Sequence, residues 1–124
     1  MKKELSTVTE IKWMVDEFYE LVKKDEILAP FFSKVNWEKH LPTMYKFWKN
    51  TLFYTGSYSG NPILSHQKLH QKNPLHEELF SRWLALFIQN LETHFEGEKM
   101  ELAKQRATSI STVMMIKILP FPGQ

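Results

Sequence analysis

Apolar residues recur along most of this chain at spacings of three and four, which places them on one face of an α-helix, and no stretch alternates with the period of a half-buried strand. Val8, Ile11, Val15, Phe18 and Val22 predict a first helix that opens at Thr7, with Glu10 as capping-box partner, and closes near Lys24 and Asp25. The apolar run from Ile27 to Phe32 is broken by Pro30, which keeps Ala29 out of the helical region. It predicts a turn or short helix that sets Phe31 and Phe32 inward. Trp37, Leu41, Met44, Trp48 and Leu52 predict a second long helix with Asn36 as its N-cap. Pro42 lies beyond the first turn of that helix. Either it bends the helix by depriving the Glu38 carbonyl of its donor, or a helix restarts there, and both outcomes leave His40 beside an irregularity.

A turn-rich stretch through Gly56 and Gly60 leads to Asn61 and Pro62, an N-cap and first helical residue, and a short helix follows to about His70. Asn73 and Pro74 then open a long helix carrying Leu75, Leu79, Trp83, Leu86, Phe87 and Leu91, with Gly97 as its C-terminal stop. Ala103, Ala107, Ile110 and Met114 form the stripe of a last helix that ends before Pro120. The expectation is an all-α fold in a single domain spanning 1–124, with 1–6 and 119–124 as frayed tails.

Composition narrows the function classes. The 124 residues carry a net charge of only +2, with cations scattered rather than gathered into a basic stripe, so nucleic acid is not an expected partner. The absence of cysteine excludes disulfides, thiolate metal sites and thiol nucleophiles. The N-terminus lacks the apolar stretch of a secretory signal and no apolar run reaches membrane-spanning length, so a cytoplasmic protein without membrane contact is expected. Aromatic residues, at 14%, exceed what a helical domain this small needs for packing and suit a pocket for a large flat ligand.

Five histidines, His40, His66, His70, His76 and His94, are the candidate metal ligands. His66 and His70 are four apart and would share a helix face, as a zinc pair would. A zinc site needs further ligands, however, and Gln67 stands where a zincin would carry glutamate. His66 differs from the rest by lying in a short helix after a glycine-rich loop, between aromatic-rich helices.

The string Trp37-x-x-His40, Met44, Phe47-Trp48, Tyr58-x-Gly60-x-Pro62-x-x-x-His66 and Phe80-x-x-Trp83-Leu84-x-Leu86-Phe87 resembles the group III truncated haemoglobins. So do Phe18-Tyr19, Asp25, Pro30 and Phe32, and the likeness runs from about Val8 to Met114. The resemblance implies a globin reduced to a two-over-two helical sandwich around haem b. It makes His66 the proximal iron ligand, the one protein ligand to the metal, and His40, Tyr19 and Trp83 the distal residues that stabilise an iron-bound ligand. Phe32 matches a phenylalanine packed on the haem face, Met44 an apolar distal position and Trp48 an inward aromatic. Other truncated globins carry glycine pairs, and this chain has none.

A monomer binding dioxygen, carbon monoxide, nitric oxide or peroxide is implied. Its distal donors favour slow release, nitric oxide dioxygenation or peroxide reduction over bulk oxygen storage. Turnover would require a separate reductase, since the chain has no electron-donor domain. Lys68, His70, Tyr54 and Lys72 lie in the part of the chain suited to the haem propionates. The competing reading is a helical interaction module without cofactor, its aromatics filling a dry core.

Overall fold

The computed structural model describes residues 2–53, 62–72 and 75–119. Helix α1 (Val8–Lys24) starts where the capping residues stand: one Glu10 oxygen accepts the Thr7 backbone N–H at 3.2 Å, and the other accepts its hydroxyl at 2.6 Å. Its inward stripe of Ile11, Met14, Val15, Phe18, Tyr19 and Val22 is buried. A one-turn 3-10 helix (Ala29–Phe32) follows, and then α2 (Trp37–Phe53) runs unbroken through Pro42. Asn36 starts α2 through its backbone carbonyl, which accepts the N–H groups of Lys39 and His40. Helices α3 (Pro62–Lys72), α4 (Glu77–His94) and α5 (Glu98–Ile118) complete the all-α architecture.

Two helices lie over two. Helix α1 packs on α2 in one layer and α4 on α5 in the other, with α1 crossing α4, α2 touching α5, and α3 lying against α5. The small Ala103 and Ala107, both fully buried, let α5 approach its neighbours closely. Asn90 is 2% exposed and ties α4 to α1 by donating to the Met14 carbonyl at 2.9 Å.

Two expectations are corrected. Residues 3 and 4 do not fray: β1 (Lys3–Glu4) pairs in parallel with β2 (Phe95–Glu96), Lys3 opposite Phe95. The anchor is Leu5, which is fully buried in the core, and a two-residue pairing is too short to leave a periodic signal. Gly97 does not stop α4, which ends at His94; it is the N-cap of α5 instead. Its φ of 96° is open to glycine and strained for other residues, and a Cβ there would lie 3.3 Å from the Glu4 side chain. Helix α3 also runs two residues past the predicted end. The predicted loop through Gly56 and Gly60, the Asn73-Pro74 junction and the tail beyond Leu119 lie outside the described residues.

Candidate functional site

Each element sends side chains into one cavity of about 340 Å³, within the range of ligand pockets. From α1 come Phe18 and Tyr19, adjacent residues that both face inward at the buried end of the helical stripe. The 3-10 turn supplies Phe31 and Phe32. That turn is held by Asp25, 6% exposed at its side chain, just past the end of α1: one carboxylate oxygen accepts the N–H groups of Ile27 and Leu28 at 3.2 and 3.0 Å. The other takes Arg82 of α4 at 2.7 Å from Nε and 2.6 Å from Nη2. This hydrogen-bonded ion pair holds the Asp25 carboxyl below its ordinary pKa and fastens the corner to α4 one residue from Trp83.

Helix α2 contributes His40, Met44, Phe47 and Trp48, spaced as one helical face requires. Helix α3 contributes His66 and Leu69, α4 contributes Leu79, Phe80 and Trp83, and α5 contributes Ile110, Ser111 and Met114. All seven residues singled out from sequence, Tyr19, Phe32, His40, Met44, Trp48, His66 and Trp83, therefore line the same cavity.

Polar groups are few in this apolar wall. His40 Nε2 lies 3.0 Å from the Tyr19 hydroxyl, and the two rings meet edge to face with centroids 5.0 Å apart. Burial pushes the Tyr19 phenol well above its ordinary pKa, so it keeps its proton. Burial lowers the pKa of His40, and the nearby charge of His66 lowers it further, so the imidazole is neutral at pH 7. Trp83 stacks on Phe87 at 5.4 Å and meets Phe18 edge to face at 5.7 Å, which fixes the indole plane. Trp48, 4% exposed, stacks on the same Phe87 at 4.7 Å.

His70 does not join His66 in the cavity. Its Nδ1 accepts the Leu75 backbone N–H at 2.8 Å, and among the described residues no three His, Asp or Glu side chains gather as a metal site. Of the residues considered for propionates, Tyr54 lies outside the described residues. The sequence reading did not name Ser111 or the Asp25–Arg82 pair. Ser111 could have been found as the position four residues past Ala107 on the inward stripe of the last helix. The ion pair spans 57 residues and has no local signature.

A sequence model of the bacterial-like globin family matches residues 5–116. The chain therefore belongs to the bacterial-like globins. It is 31% identical over 129 residues to the group 3 truncated hemoglobin ctb of Campylobacter jejuni, with 99% of each chain covered. The crystal structure of group III truncated hemoglobin from Campylobacter jejuni matches its fold with a TM-score of 0.87 at 29% identity, over 100% of both chains. Within the family it is accordingly a group III truncated haemoglobin, and its two-over-two fold is that of a truncated globin.

A globin is a haem-based ligand-binding protein, and the cavity fits that cofactor on its own chemistry. Its walls are aromatic and aliphatic, as a porphyrin face requires, and they carry a histidine with few other polar atoms. One of those atoms, Ser111 Oγ, is buried without a protein partner.

Proposed function

We propose that His66 is the single protein ligand of a haem b iron, and that Tyr19, His40 and Trp83 stabilise dioxygen or another small ligand in the same cavity. The observation that supports this most directly is the Tyr19–His40 pair, two hydrogen-bonding groups 3.0 Å apart inside an otherwise apolar cavity that His66 also lines. Phe32, Met44 and Trp48 serve as packing surfaces for the cofactor. When bound, the haem supplies an iron whose sixth position is open to a diatomic ligand or peroxide.

The residues then act as follows. Tyr19 has one hydroxyl proton. If His40 carries its proton on Nε2, it donates to the phenol oxygen and leaves the Tyr19 O–H free to point at the ligand. If His40 Nε2 is unprotonated, it takes that proton's hydrogen bond instead. A ligand with negative charge on its outer atom selects the first arrangement. The Trp83 indole N–H, which can only donate, serves as a second donor. Two charge-assisted bonds of about 1.5–3 kcal/mol each favour retention over rapid delivery. The reading is therefore slow release, nitric oxide dioxygenation or peroxide reduction rather than bulk oxygen storage. The last two consume electrons that would come from a separate reductase. A monomer acting in the cytoplasm completes the proposal.

The test is spectroscopic. Purified protein loaded with haem should show a strong Soret band. The His66→Gly variant should lose tightly held haem and regain a five-coordinate ferrous spectrum when imidazole is supplied. Unchanged haem affinity and spectrum in that variant would reject His66 as the ligand.

A further inference from the structure

Four helical threonines, Thr43, Thr51, Thr93 and Thr108, turn their hydroxyls back to the carbonyl four residues earlier, at 2.7–2.9 Å. Ser111, also in mid-helix, does not. Its Oγ has no partner, its residue is only 2% exposed, and it lines the cavity. The other buried residues of α5, Met100, Ala103, Ala107 and Met114, are apolar, so alanine would serve packing at 111 equally well. An unpartnered buried hydroxyl costs free energy with no packing return, which points to a partner belonging to the loaded cavity.

The surroundings identify that partner. On the walls formed by α1 and α2, Tyr19 and His40 already bond to each other. Ser111 lies on α5, against which α3 packs, and Gln67 ties the two helices by donating to the Lys117 carbonyl at 3.4 Å. His66 precedes Gln67 and lines the same cavity. We infer that Ser111 is a positioning residue for His66: its hydroxyl accepts, directly or through one water, the hydrogen bond of the imidazole N–H that faces away from the iron. This rests on the reading of His66 as the iron ligand.

An imidazole that shares its second proton in this way is fixed in tautomer and ring rotation and becomes a more basic ligand. The Ser111 hydroxyl can at the same time donate its own proton to the Ala107 carbonyl, the arrangement the four threonines already make.

The haem-loaded full chain tests this by resonance Raman of the ferrous five-coordinate form and by the ferric/ferrous midpoint potential. The substitutions fall into two matched pairs, parent with Ser111→Ala and Ser111→Thr with Ser111→Val, each differing in the hydroxyl. In each pair the hydroxyl-free protein should show a lower iron–imidazole stretching frequency, a higher midpoint potential and haem loss faster on the order of tenfold. The Ser111→Ala apoprotein should melt no lower than the parent, because only an unpaired group is removed. Parental frequency and potential in Ser111→Ala and Ser111→Val overturn the inference, as does a Thr variant that shifts as far as Val, which makes the effect one of bulk. A stretch that survives in His66→Gly instead removes the ligand assignment beneath it, so the two failures are distinguishable.

Discussion

The phenol proton of Tyr19 has two possible acceptors, His40 Nε2 at 3.0 Å and a ligand in the cavity, and this competition sets what substitution should do. Tyr19→Phe and Trp83→Phe keep aromatic bulk and remove the donors. Each should speed dioxygen dissociation by about ten- to a hundredfold, the worth of one bond to a charged acceptor. Carbon monoxide, with little charge on its outer atom, should respond far less. Two donors on one acceptor are coupled, so the double variant should fall short of the product of the single effects. Dissociation rates of both gases from the four proteins measure this, and parental dioxygen rates throughout would return both residues to a packing role. His40 gives a pH prediction. Its folded pKa lies below the ordinary 6.5, so as pH falls below 6.5 the unfolded chain takes up a proton that the folded chain refuses. Its contribution to stability is therefore present above that range and declines as pH falls towards the depressed folded value. Denaturant titrations should show this slope in the parent and a shallower one in His40→Leu.

At the scale of elements, the junction between α1 and the 3-10 turn rests on one carboxylate. Asp25→Ala removes two hydrogen bonds to backbone N–H groups and the contact with Arg82, whose side chain is 43% exposed. Solvent screens part of the ion pair, so the expected loss is about 2–3 kcal/mol, read from urea midpoints. Because the folded Asp25 pKa lies below the ordinary 3.8, its contribution persists above that value and disappears as pH falls through the folded one. The turn it holds carries Phe31 and Phe32, so haem affinity should weaken in the same variant. Retained affinity alongside lost stability would mean that the two phenylalanines are placed without the corner.

For the whole molecule, the cavity lies where the layers meet, and the elements around it touch through its lining: Phe18 reaches Trp83 and Phe87, and Phe87 reaches Trp48. Cofactor binding should therefore act on global stability. With free haem at about a thousand times its dissociation constant, the folded state should gain about 4 kcal/mol, and the gain should vary with haem concentration. Calorimetry of apoprotein and haem-titrated protein checks this, and coincident melting curves would contradict a cofactor bound only by the folded chain.

The sequence by itself determined the helices and the inward direction of the site residues. Periodicity is local, so Ile11, Val15, Phe18 and Val22 declare a buried face without reference to any partner, and Thr7 with Glu10 marks where that helix begins. The pattern of aromatics and histidines carried the likeness to truncated globins, and with it Tyr19, His40, His66 and Trp83. What only the tertiary structure decided depends on contacts between residues distant in sequence. Lys3 and Glu4 are ordered because Phe95 and Glu96 are beside them, and Gly97 caps α5 because the chain turns there with a positive φ close to Glu4. Asp25 meets Arg82 across 57 residues. Ser111 reads in sequence as an ordinary small helical residue; that its hydroxyl is buried, unpartnered and on the cavity wall follows from the packing of α5 within the fold, because burial belongs to the assembled chain and not to any segment of it.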